Sequence, residues 1–218
     1  MVALTFSSVT KETLAIFPYF TYDDINFLLL WSAVTPMVFM FPAAFICARP
    51  DGLRSVIQYG AILVTLGCVL RNIPFWLGPE FYLHHSTLVR ILMNAGQMFN
   101  GLAFPLFMVA PTRLSMEWFE ESQRTTITAI AAVSCEVGFA ASFFIPHFTD
   151  NVEEILSQSV TLSIGALFAA MSLSCMPARP ADPPSLGTVL IALVTLVALP
   201  IISRITLIRC CVYGVSER

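Results

Sequence analysis

Residues 25–47 read INFLLLWSAVTPMVFMFPAAFIC, a run that carries no charged side chain. About 20 mostly apolar residues in a helix cover the roughly 30 Å of hydrocarbon in a bilayer. A helix is required there because a backbone N–H or C=O left unpaired in lipid has no water to turn to. This run is therefore a spanning helix, and the rest of the chain matches it. Of the 218 residues 57% are hydrophobic and only 11% charged, with a mean hydropathy of +0.80. A soluble chain needs a polar shell around its apolar core, and this composition cannot supply one.

Outward from this run, five others reach or approach spanning length. They are residues 55–70, closed by Arg71, Asn72 and Pro74; 88–113; 125–148; 155–176; and 186–208, which is interrupted by Pro200 and Arg204. Breakers separate them: Arg49-Pro50-Asp51-Gly52, then 74–86, then 118–124, then the proline-rich linker 177–185, which cannot continue a helix. The fold class is thus an all-α, multi-pass membrane protein. Its expected divisions are a non-cytosolic segment 1–24, a five-helix bundle 25–176, the linker 177–185, and a further helix with its tail, 186–218.

Lysine and arginine in short loops favour the cytoplasm. If the runs alternate, Arg49, Arg54, Arg113, Arg124 and Arg179 share one side and Lys11, Arg71 and Arg90 the other, which puts the 49–54 loop in the cytosol. Residues 1–22 lack the charged start and small-residue cleavage site of a signal peptide. The net charge of −3 comes with no basic run, so nucleic acid is excluded as a partner. The partners this composition calls for are the lipid bilayer, a small solute, and a further helix or second copy against glycine-lined faces.

Six cysteines, Cys47, Cys68, Cys135, Cys175, Cys210 and Cys211, mostly fall within apolar runs and read as small apolar residues. Cys210 and Cys211 are also the candidates for palmitoylation. His84 and His85 beside Glu80 have no third ligand near in sequence, so no metal is expected. No Ser/His/Asp order, phosphate loop or carboxylate pair supports catalysis, and no cofactor is implied.

Four passages carry a family likeness. They are Asp51-Gly52-Leu53-Arg54, then Gly96-Gln97-Met98-Phe99-Asn100-Gly101-Leu102-Ala103-Phe104-Pro105, then Trp118-Phe119 with Arg124-Thr125-Thr126-Ile127-Thr128-Ala129-Ile130, and the 177–185 linker. Together they resemble the major facilitator superfamily, and within it solute carrier family 49, the feline leukemia virus receptor-like transporters. The resemblance covers roughly residues 6–185. It implies a partial N-terminal half of that fold, with residues 6–15 as the end of a first helix and neither the long central loop nor the second half present. It also implies transport of a small organic solute, a vitamin-B6-like or other amine-bearing molecule, across a lysosomal membrane, with the plasma membrane as the alternative. A non-transporting subunit that packs against a full-length relative is the competing reading.

Glu136 stands near the middle of the fourth run, where a charge is costly unless protonated, paired or facing water. The likeness aligns Ser134-Cys135-Glu136-Val137-Gly138 with a Gly-Asn-Gln-Leu-Gly string whose glutamine faces the family's central cavity, so Glu136 is a candidate for a coupling proton or a cationic solute. Gln97 and Asn100, three residues apart, share a helix face and either bind a polar solute or join two helices. The 49–54 loop takes the place of the superfamily's gating signature. Arg49 stands where that motif has aspartate and Pro50 where it has a basic residue, while Asp51, Gly52 and Arg54 remain; the reversal of charge implies a weakened latch.

Overall fold

The computed structural model describes residues 10–144 and 152–172, all within the first of two units of the chain, 1–178; the second, 179–218, lies outside the described residues with the linker and the sixth run. Every regular element among the described residues is a helix. In chain order they are α1 (Thr10–Ile16), α2 (Tyr22–Cys47), α3 (Gly52–Trp76), α4 (Pro79–His84), α5 (Ser86–Trp118), α6 (Glu121–Phe144) and α7 (Val152–Ser172).

The charge-free run starts as a helix earlier than its apolar residues suggest, because Thr21 caps it. Thr21 Oγ1 accepts from the Asp24 N–H at 3.4 Å, and Asp24 Oδ2 accepts from the Thr21 N–H at 2.9 Å. This reciprocal pair satisfies two amides that a helix start leaves open, and Asp23 and Asp24 oppose the positive end of the helix dipole. Pro36 and Pro42 remain inside α2. Each removes one amide donor from the helix ladder, and the Thr35 hydroxyl beside the first bonds back to the Trp31 carbonyl at 2.5 Å.

The second apolar run, α3, does not end at Arg71-Asn72-Pro74. It continues through all three to Trp76. Pro74 falls in the last turn, where one missing amide is tolerated, and Arg71 and Asn72 are buried with partners on other helices rather than exposed at a loop. Arg71 is therefore no loop charge for orientation. The stretch 74–86 is likewise not all loop: after Gly78, whose φ of +91° suits glycine alone, it forms the short α4.

The longest helix, α5, stands at the centre, packing on α2, α3 and α6, while α3 also packs on α7. Glycines set the spacing. A Cβ on Gly67 would come within 2.6 Å of the Gly96 carbonyl oxygen, and one on Gly96 within 2.7 Å of that of Gly67, so α3 and α5 meet backbone to backbone. Gly101 meets the Trp31 carbonyl of α2 in the same way, at 2.9 Å, and Gly60 seats the Phe107 ring. Small residues allow such approach, and dispersion between closely packed helices replaces the hydrophobic drive that lipid does not provide.

Two apolar clusters close the ends. One gathers Phe17, Phe20, Ile25, Leu28, Phe75, Val89, Met93 and Leu156 at the α1–α2 end; the other gathers Ala43, Cys47, Leu53, Val56, Leu106 and Ala110. Between them α2 turns Met37, Phe41 and Phe45 outward, each more than 70% exposed. Only 11% of the most apolar stretch of α2 is buried, which is the reverse of a soluble core helix. By length and hydropathy α2 and α3 can each cross a membrane.

Gly67→Leu is expected to force α3 from α5 and cost about 1–3 kcal/mol or the folded state altogether. Gly165→Ala, where a Cβ meets nothing within 4 Å, should leave thermal unfolding in detergent unchanged. Equal melting temperatures for Gly67→Leu and the parent would show that the close crossing is not what holds the pair.

Candidate functional site

Polar groups inside the bundle collect on one face of α5. Met93, Gly96, Gln97, Asn100 and Ala103 follow helical spacing and are all buried. Gln97 and Asn100 both stand against α3. Gln97 Oε1 accepts from Arg71 Nη1 at 3.0 Å, and Asn100 lies beside Gly67, 2.7 Å from where a Cβ there would sit. Arg71 is fully buried, and its other terminal nitrogen lies 3.9 Å from Cys68 Sγ. The Asn100 amide, 4% exposed, has no hydrogen-bond partner among the described residues.

The same side of α3 reaches α7. Asn72 Nδ2 donates to the Leu156 carbonyl at 2.9 Å, and Thr65 Oγ1 to the Ser163 carbonyl at 3.1 Å. The donors are seven residues apart on α3 and the acceptors seven apart on α7, running oppositely, so the two bonds are rungs two turns apart on antiparallel helices. Buried Ser159 and Ser163 turn their hydroxyls back to carbonyls of their own helix. A guanidinium and an asparagine thus fix three helices in register. Arg71 and Asn72 were hidden in the sequence by their resemblance to a helix stop. The spacing Gly60, Gly67, Arg71, which puts all three on one face, was the signal that could have revealed them.

Glu136 is placed differently. It lies on α6 with an exposed side chain, as do Ala132, Val133 and Ala140 on the same stripe. The structure does not bring it to Gln97 and Asn100, which are enclosed between α3 and α5.

At the 49–54 loop, Arg49, Pro50 and Asp51 are exposed, Arg54 is half-buried and Gly52 is buried. A Cβ on Gly52 would lie 2.5 Å from the Ile46 carbonyl oxygen, so this tight turn from α2 to α3 admits glycine alone. Nearby, Arg113 pairs with Glu117 at 2.6 Å. Arg124 does not stand free in solvent: it donates to the Phe119 carbonyl at 3.3 Å and the Met116 carbonyl at 3.4 Å, closing the C-terminal turn of α5. Phe119 is buried rather than set at an interface. His84 and His85 are exposed on the far end, and no group of three potential metal ligands occurs among the described residues.

A chain whose described elements are all helices, and whose apolar side chains face outward along a helix of spanning length, is a membrane protein. Its relatives say of what kind. It is 30% identical over 184 residues to "Solute carrier family 49 member 4 homolog" of Xenopus laevis, matching 75% of this chain and 38% of that protein. The protein of the same name in Xenopus tropicalis is also 30% identical, over 186 residues. "Solute carrier family 49 member A3" of Xenopus tropicalis is 25% identical over 187 residues, matching 85% of this chain and 38% of that protein. The chain resembles solute carrier family 49, as its loops and its α5 string indicated. It spans about 38% of the length of these curated relatives. No family model matches it, and no solved structure matches it.

Asn72→Leu keeps the volume and deletes the bond to α7, and is expected to cost about 1–3 kcal/mol. Hydrogen exchange should rise across the first turns of α7 while the contact of α2 with α5 keeps its protection. Unchanged exchange in α7 would show that the rung to Leu156 holds nothing.

Proposed function

We propose that these helices form part of the N-terminal half of a multi-pass secondary transporter of the major facilitator type, which moves a small organic solute. By resemblance the solute is vitamin-B6-like or otherwise amine-bearing and the membrane lysosomal. The observation that carries the reading is Glu136: a carboxylate with an exposed side chain on a helix that otherwise shows alanine and valine on the same face. Lipid is a poor neighbour for it, so that face meets a water-filled path or a polar partner. A carboxylate in such a path can exchange a proton or attract a cationic amine. The names of the relatives, solute carriers, support the same class.

In this reading Arg71, Gln97, Asn72 and Asn100 hold α3, α5 and α7 as one body, and Glu136 on α6 faces the moving solute. The 49–54 loop is the gating turn. Gly52 keeps its shape, while Arg49 removes the carboxylate that would latch it, so gating leans on other contacts.

The test uses these helices joined to the remaining segments of a full-length relative and reconstituted in vesicles. Uptake of pyridoxine or choline should be saturable and rise with an inward proton gradient. Glu136→Gln keeps the shape of the protonated acid but cannot release a proton. It should abolish the pH dependence while leaving the amount of protein unchanged. A Gln variant with parental pH dependence would end the coupling role. Loss of the protein itself would assign Glu136 to structure and favour a non-transporting subunit.

A further inference from the structure

Two neighbouring helices carry the same irregularity at the same spacing. Pro36 and Pro42 lie six residues apart inside α2, and Pro105 and Pro111 six apart inside α5. A proline has no N–H, so the carbonyls of Ser32, Val38, Gly101 and Phe107, each four residues earlier, lose the ladder bond that position would otherwise give. Residues 32–42 of α2 and 101–111 of α5 are therefore held by fewer bonds than the turns on either side.

The two weakened stretches face each other. The helices run parallel, because their contacts climb together from one end to the other. Arg90 donates to the Tyr19 carbonyl and lies 3.2 Å from Asp24 Oδ2, and Trp31 Nε1 donates to Asn94 Oδ1 at 3.2 Å. Further along, a Cβ on Gly101 would meet the side chain of buried Thr35, and Cys47 Sγ donates to the Val109 carbonyl at 3.9 Å. Thr35 falls within the first opened turn of α2 and Gly101 begins that of α5, so the openings touch. At this level α3 contributes Gly60, where a Cβ would come 2.8 Å from Phe107 Cζ; the ring rests on bare backbone with no side chain to lock it.

The stretches also divide the two apolar clusters. In α2, Ile25 and Leu28 of the first cluster precede the prolines, and Ala43 and Cys47 of the second follow them. In α5, Val89 and Met93 belong to the first, Leu106 and Ala110 to the second. In α3, Phe75 belongs to the first, whereas Leu53 and Val56, on the far side of Gly60, belong to the second.

We propose that residues 43–59 and 106–118 form one end-piece, which hinges as a unit on the matched prolines of α2 and α5 and on Gly60 of α3. A bend at this level breaks fewest ladder bonds, because four are already missing and the third helix has there a residue that stiffens it least. The second cluster, the tight turn at Gly52 and the bond from Cys47 to Val109 hold the piece together, so a bend in one helix carries the others. The hinge stands whatever the solute, and supplies the bundle with a movable end at the 49–54 turn.

Hydrogen exchange in the full chain in detergent, where it tracks the opening equilibrium, tests this across helices. Pro42 is exposed, so Pro42→Ala gives the Val38 carbonyl its donor without changing buried packing. Exchange should slow by the same factor, about three- to tenfold for one added bond, at 43–47, at 53–59 and at 112–118, and stay as in the parent at 86–97. Pro111→Ala, on the other helix, should give the same pattern, and serves where Pro42→Ala fails to fold. Pro74→Ala, in the last turn of α3, should slow none of the three segments. Slowing confined to the substituted helix overturns the proposal, as does no slowing with either variant. Equal slowing at 86–97 overturns it too, since the bundle would then open only as a whole.

Discussion

The backbone-to-backbone meeting of α3 and α5 at Gly67 and Gly96 is the contact on which the other helices depend. Where lipid surrounds helices, apolar burial gives little drive to associate, and close packing with internal hydrogen bonds takes its place. The glycines bring the two axes near enough for Gln97 to reach Arg71 and for Asn100 to lie against α3. From that pair the structure extends both ways. On one side α3 ties α7 through Asn72 and Thr65; on the other, α5 receives α2 at Gly101 and Trp31, whose indole N–H donates to Asn94 at 3.2 Å.

The division between what packs and what faces outward follows from the same geometry. The α3-facing side of α5 is enclosed and carries the polar Gln97 and Asn100 among small and apolar residues, whereas α2 presents aromatic and methionine side chains away from the bundle. The enclosed polar groups make shape; the exposed apolar ones match a hydrocarbon surround. Glu136 stands apart from both sets, an ionisable group on an outward face, which is why it carries the functional reading while Gln97 and Asn100 belong to the α3–α5 seam in that reading.

Much of the helical plan was legible in the sequence because charge-free runs admit few alternatives. The run 25–47 falls wholly within α2, and the glycine-rich string 96–105 lies wholly within α5. Errors came where one residue type serves two purposes. Arg71-Asn72-Pro74 has the composition of a helix end, and only the position of α5 and α7 shows that arginine and asparagine are turned inward. Arg90, counted as a loop charge, holds a turn more than sixty residues away in sequence, which no local pattern reveals. The 118–124 breaker is mostly helix: the gap between α5 and α6 is short enough for Phe119 to be buried and for Arg124 to bond back to the end of α5. For Glu136 the length of its apolar run sets depth along the helix but not direction, and direction is what separates it from the buried amides.

The enclosed guanidinium also bears on how such a chain is made. As α3 leaves the ribosome it has the hydropathy of a crossing helix, yet Arg71 in its last two turns opposes insertion, by less than the about 2.5–3.5 kcal/mol of an arginine at a helix centre. The acceptor that receives Arg71, the amide oxygen of Gln97, is synthesised later, on α5. Until α5 emerges, α3 has reason to linger at the translocon or to slide so that Arg71 stays near the interface. Its final depth is then set by a helix that follows it, and the order of synthesis and the order of settling in the membrane need not be the same.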